Sequence, residues 1–112
     1  MVAMTLKEII EKCSKLGVYE RRYVTDDYDG LVFYNRELDK WNKIFTAILG
    51  PSIKPAGVKP TKDDLRLTKD YGGINDNQTL FKKGFDDATV IAMFWPWQDG
   101  VHATLKMVSL KR

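Results

Sequence analysis

One histidine and one cysteine occur among the 112 residues, so the reactive chemistry open to this chain is narrow. Zinc sites need at least three N or S protein ligands, and His102 with Cys13 falls short of that within one chain. No metal and no cofactor is expected. Cys13 shares helical spacing with Leu6, Ile9, Ile10 and Leu16. That places its thiol on an apolar stripe, where cysteine packs as a small hydrophobe rather than acting as a nucleophile. His102 falls on the polar side of the last expected strand, just past a turn. Asp99, Asp86 and Asp87 are the carboxylates available to orient it as an acid–base pair. The spacing compels none of these pairings, and a surface histidine is the simpler expectation, so no catalytic residue is assigned.

The other motifs point to local structure. Asp27, Asp29 and Gly30 sit in the relative positions of a calcium loop, but that register puts Arg36 where a bidentate Glu is required. Asp26-Asp27-Tyr28-Asp29-Gly30 is therefore read as a turn. Gly72, Gly73 and Gly84 match no phosphate-cradling fingerprint. Lys83-Gly84-Phe85 is like the opening of an RNA-stacking segment, yet Asp86-Asp87-Ala88 follows and puts acid where phosphate would approach. Lys54, Lys59, Lys62, Arg66 and Lys69, with Lys82 and Lys83, lean basic between residues 54 and 83. A solvated charged face is the commoner outcome of such a run. Nucleic acid is not the expected partner, and a weak binder using these lysines is kept as an alternative.

The strongest functional signal is Trp95-Pro96-Trp97. Proline donates nothing to a sheet ladder, so Pro96 marks a strand end or an edge-facing position. Two tryptophans two residues apart share a face if the chain stays extended. Either they cap one end of the core, against Trp41 or Phe45, or they line a ligand or partner surface, where tryptophan is enriched. Trp95, Trp97, Phe94 and His102 are accordingly the candidate binding residues.

The elements that must position them follow from periodicity. Thr5 and Glu8 have capping-box spacing and open a first helix that Gly17 is expected to stop in a left-handed conformation. Val18–Thr25 and Leu31–Tyr34 read as strands, the first interrupted by Glu20, Arg21 and Arg22, as suits an edge. Asn35 is the expected cap of a second helix carrying Leu38, Trp41, Ile44, Phe45, Ile48 and Leu49, stopped at Gly50-Pro51. A proline-rich connector follows, then a short helix over 62–71 begun by Thr61 and Asp64, with a strand through 65–67 as its competitor. Gln78–Phe85, Thr89–Trp95 and Val101–Leu110 form a three-stranded meander, the last hairpin turning near Trp97-Gln98-Asp99-Gly100.

The expected class is thus α+β: a mostly antiparallel sheet of about five strands, two main helices on one face, one domain over 1–112. Residues 90–95 are apolar without alternation, which requires cover on both faces. The second cover must come from the 51–75 segment, a second copy of the chain, or a ligand. Charged content of 29% beside 44% hydrophobic residues argues against disorder, and a net charge of +3 mildly favours an anionic partner. The N-terminal residues show no secretory pattern and no apolar run approaches a bilayer's thickness, so a cytoplasmic protein without membrane association is expected. The expected function is a small non-enzymatic binding or protein-interaction module, homodimeric, using the aromatic face near the last hairpin. A small enzyme built on His102 and a nearby aspartate is the competitor.

Overall fold

The computed structural model describes residues 5–13 and 15–111; the N-terminal residues read above for a secretory pattern lie partly outside that range. The chain runs α1 (Leu6–Lys12), β1 (Val18–Val24), β2 (Tyr28–Tyr34), α2 (Leu38–Leu49), α3 (Lys62–Thr68), β3 (Thr79–Gly84), β4 (Ala88–Pro96) and β5 (His102–Lys111). The strands make one antiparallel sheet in the order β1-β2-β5-β4-β3, so β3, β4 and β5 form the expected meander. No helix among the described residues is long and apolar enough to cross a membrane.

Local chemistry sets the helix starts. Thr5 and Thr61 accept from the backbone N–H of Glu8 and Asp64, whose side chains accept in return from the two cap nitrogens. Two expectations are corrected. Cys13, not Gly17, caps α1, and Gly17 is not among the glycines with positive φ. Asn35 does not cap α2: it opens a 3-10 turn, Asn35–Glu37, that feeds the helix, and no side chain caps that turn. The acidic turn is also shorter than expected, because Tyr28, Asp29 and Gly30 join β2. Arg21 on β1 holds Asp29 across the hairpin at 2.7 Å, which favours continued pairing.

One face of the sheet packs under α1 and α2. Phe33, Trp41, Phe45, Phe81 and Phe94 form its aromatic centre, joined by Leu6, Ile9, Leu31 and Leu105. The opposite face carries a second apolar cluster of Ile74, Leu80, Ile91, Met93 and Val108, flanked by Leu67, Tyr71 and Trp95. β4 is therefore covered on both faces, as its unalternating sequence demands, and the 51–75 segment supplies the second cover. That segment is pinned by Lys54, which is buried and donates to the carbonyls of Pro55, Asp76 and Gln78. At its far end Lys106 donates to the Tyr71 carbonyl at 3.1 Å. Gly72, at φ +97°, abuts Trp95 so closely that a Cβ there would lie 2.5 Å from the indole ring.

Candidate functional site

The four residues singled out by sequence separate into core and surface. Phe94 is 1% exposed and points into the helix-side core, where its ring meets Phe33, Phe45 and Phe81 at 5.4–5.6 Å. It shares no face with the other three. Trp95 lies on the opposite face, half-buried, with Gly72 against its ring and the Lys106 ammonium 3.4 Å above the ring centroid. It closes the end of the second apolar cluster and does not reach Trp41 or Phe45, which lie across the sheet.

Trp97 and His102 do come together. The indole N–H of Trp97 donates to Thr104 Oγ at 2.8 Å, which lays the ring over β5 and brings it 4.9 Å from the imidazole. The hairpin that carries them is closed by Trp97 N–H to the His102 carbonyl and by Gly100 at φ +70°. Asp99 organises the turn: one carboxylate oxygen accepts from the backbone N–H of Val101 and His102, the other meets His102 Nδ1 at 2.6 Å. Of the carboxylates considered for His102, Asp99 is its partner. Asp86 and Asp87 sit in the β3–β4 turn at the other end of β4, whose first residue pairs with Lys111.

Two residues that sequence reasoning missed complete the cluster. Tyr19 of β1 places its ring 4.5 Å from His102 and 5.7 Å from Tyr34. Tyr34, opposite His102 in the β2–β5 ladder, stands 5.8 Å from the imidazole. Guanidinium groups flank the rings, Arg22 over Trp97 at 5.4 Å and Arg36 over Tyr34 at 4.3 Å. The β-strand period puts Tyr34 and His102 on a shared face, but only a known pairing reveals that they are neighbours. Tyr19 is 51% exposed, so the cluster lies at the surface, beyond the reach of the 51–75 cover.

Two clefts lie elsewhere. One, of about 780 Å³, opens between α1 and the far ends of β1, β2 and β4 and is lined by Ile10, Arg21, Asp26, Asp29 and Asp87. The second, of about 440 Å³, lies along α3 beside Lys82 and Leu110. Asp29 is 1% exposed, and burial raises its carboxyl pKa above the usual range, opposed by Arg21. Asp99 behaves oppositely: the hydrogen bond from His102 and those from the backbone N–H groups of Val101 and His102 hold its carboxyl down at about 2. Carboxyl-detected NMR titration is therefore expected to place Asp99 well below Asp29. Asp99 contributes stability that is present above an unfolded carboxyl's pKa near ~3.8 and lost as pH falls towards about 2. Asp29, with its raised pKa, contributes most when protonated and loses stability as pH rises through its folded pKa.

The remaining reactive residues have structural roles. Cys13 is buried beneath α1 and its thiol is pushed up to about 11, which keeps it protonated and unreactive at neutral pH. The basic residues between 54 and 83 do not form one surface: Lys54 is internal, Lys83 lies over Phe85 on the helix side, and Lys82 lines the cleft on the opposite side. Among the described residues no group of three or more His, Cys, Asp or Glu side chains is placed to hold a metal ion.

The fold and site together define a compact α+β domain with a clustered aromatic surface at one end of its sheet. No protein-family model, no curated protein and no solved structure matches the chain.

Proposed function

We propose that this chain is a non-enzymatic binding module that captures a protein segment on the ring cluster of Tyr19, Tyr34, Trp97 and His102. One observation carries the reading: Tyr19, Tyr34 and Trp97 gather around the His102 ring near the surface, with a guanidinium group over Trp97 and another over Tyr34. Trp, Tyr and Arg are the residues that dominate binding energy at protein interfaces, and Trp and Tyr bury large area at little entropic cost. Rings already packed on one another are preorganised, so a partner need not pay to order them. Arg22 and Arg36 at the rim, in a chain of net charge +3, favour a partner carrying carboxylates beside an apolar anchor. The alternative of catalysis by the His102–Asp99 pair rests on that 2.6 Å contact. The imidazole lines neither of the two clefts described above, and the contact reading uses every ring around it.

Selection from a random peptide display library tests the reading. Enriched peptides are expected to be acidic with an aromatic or aliphatic anchor. Their affinity should fall about 30-fold in Trp97→Ala, the loss typical of a central interface residue. Leu65→Ala, on an exposed residue of α3, should leave affinity unchanged. Peptides that bind Trp97→Ala and Tyr19→Ala as tightly as the native protein, or a library that yields none, would count against the proposal.

A further inference from the structure

The two edges of the sheet differ. Beside β3 the edge is bridged at Leu80: the backbone nitrogens of Ile53 and Lys54 donate to the Leu80 carbonyl, and Leu80 N–H donates back to the Lys54 carbonyl. β1 is the other edge, no described strand pairs on its outer side, and all seven of its residues are exposed. Proteins ordinarily blunt such an edge with charge and irregularity, because its free N–H and C=O groups template pairing with another chain. β1 carries charge at its centre. Towards its ends, however, it bears four of the eight large hydrophobic residues left exposed in the described structure: Val18, Tyr19, Tyr23 and Val24, at 40–62%.

The order of these residues identifies the partner. Val18-Tyr19-Glu20-Arg21-Arg22-Tyr23-Val24 reads nearly the same in both directions about Arg21. Antiparallel pairing of this strand with its own copy, on a two-fold axis at Arg21, sets Val18 against the partner's Val24 and Tyr19 against the partner's Tyr23. Glu20 then faces the partner's Arg22, a pairing of opposite charge that occurs twice across the axis. Like joins like at every apolar position, and acid meets base at the charged one.

The faces agree as well. The ladder with β2 sets Val18, Arg21 and Val24 opposite Phe33, Leu31 and Asp29, on the helix side of the sheet. Glu20 and Tyr23 lie opposite Val32 and Gly30, on the other side. Tyr19 and Arg22 reach His102 and Trp97 on that same side. Every pair in the centred register therefore joins side chains from one face. A register slipped by one residue would set Tyr19 against valine or arginine and mix the faces. Arg21 meets its own copy on the axis, but each guanidinium is held by Asp29 of its own chain at 2.7 Å, which offsets the repulsion. The irregularities in the β1–β2 register fall between Val18 and Glu20 and between Arg21 and Tyr23, one on each side of the strand's centre.

We propose that two copies of this chain dimerise by antiparallel pairing of β1 with the partner's β1, centred on Arg21, so that one sheet runs through both. This is β-strand addition with closed two-fold symmetry, which uses up the β1 edge of both copies. Tyr19 sits against Tyr34, and Tyr23 against Tyr28, which stacks on Tyr71. In the dimer, Tyr19 and the partner's Tyr23 join these two rows into one aromatic band. The dimer shares Tyr19 and Arg22 with the proposed peptide surface, but it is measured without peptide, so either reading can fail alone.

Sedimentation velocity across the micromolar to millimolar range tests it. The native protein is expected to show a concentration-dependent dimer. Glu20→Arg and Arg22→Glu each set like charges across both symmetric contacts and should weaken the dimer by about tenfold or more. The double variant restores opposite charges and should recover dimerisation. These side chains are about half exposed, so circular dichroism should show all three variants folded. A native protein that stays monomeric throughout, or single reversals that leave the dimer unchanged, would overturn the proposal. So would a double variant as weak as either single one.

Discussion

Replacing Phe94 with alanine is expected to destabilise the protein by about 3–5 kcal/mol, the range for deleting a buried phenylalanine ring. Phe94 is 1% exposed, and its neighbours Phe33, Phe45 and Phe81 belong to β2, α2 and β3. Three rings held by three different elements cannot close in together, so the cavity persists and the cost stays near the top of that range. Urea denaturation checks the magnitude. The adjacent comparison is as informative. Phe94→Leu keeps most of the volume, and because Phe94 faces away from Trp97 it should leave the affinity for library-selected peptides unchanged. A peptide affinity that fell in Phe94→Leu as it does in Trp97→Ala would mean that the two rings belong to one site after all.

Lys54→Met should cost about 3 kcal/mol, lowering the melting temperature by roughly 10–15 °C for a domain of this size. Methionine fills the space of the lysine stem but donates nothing, so the carbonyls of Pro55, Asp76 and Gln78 lose their shared partner, and that of Gln78 loses it where it is buried. A charge-assisted hydrogen bond is worth about 1.5–3 kcal/mol, and the three are not additive because one ammonium serves all of them. Removing the buried charge recovers part of the loss, since burial itself disfavours the ammonium and lowers its pKa, opposed by Asp76 and Asp64. Calorimetry gives the shift. Hydrogen exchange should localise it to the 53–58 and 76–80 segments, with α1 and α2 as protected as before. Loss of protection spread evenly through the sheet would show that Lys54 does not act by pinning the cover.

The parts of this fold that were legible in sequence are those whose chemistry is local. Thr5 with Glu8, and Thr61 with Asp64, satisfy one another over three residues, and both capping boxes form. The unalternating run at 90–95 demanded two covered faces because an apolar strand face left in water is costly, and β4 has them. Where the reading went astray, a neighbour distant in sequence decided the matter. Asp29 looked like a turn residue until Arg21 held it in β2, and Asn35 looked like a cap although its backbone N–H donates to the Val101 carbonyl and a 3-10 turn starts there. Lys54 is a surface residue by type, and nothing near it in the chain shows that three carbonyls surround it.

The candidate site divides in the same way. From the sequence alone came the hairpin, Trp97 and His102 as candidate residues on either side of its turn, and Asp99 as one of three carboxylates offered to the imidazole. These residues lie within a few positions of one another, so the turn fixes their geometry. The tertiary structure separated Phe94 from Trp95 by sending them to opposite faces and drew Trp95 under the 51–75 cover. It also brought Tyr19 and Tyr34 to His102, because strand order decides which rings meet and side-chain alternation only which way they point. The near-palindrome of β1 was present in the sequence throughout. It acquired meaning only once the topology left that strand at an open edge, where backbone groups without partners make self-pairing physically available.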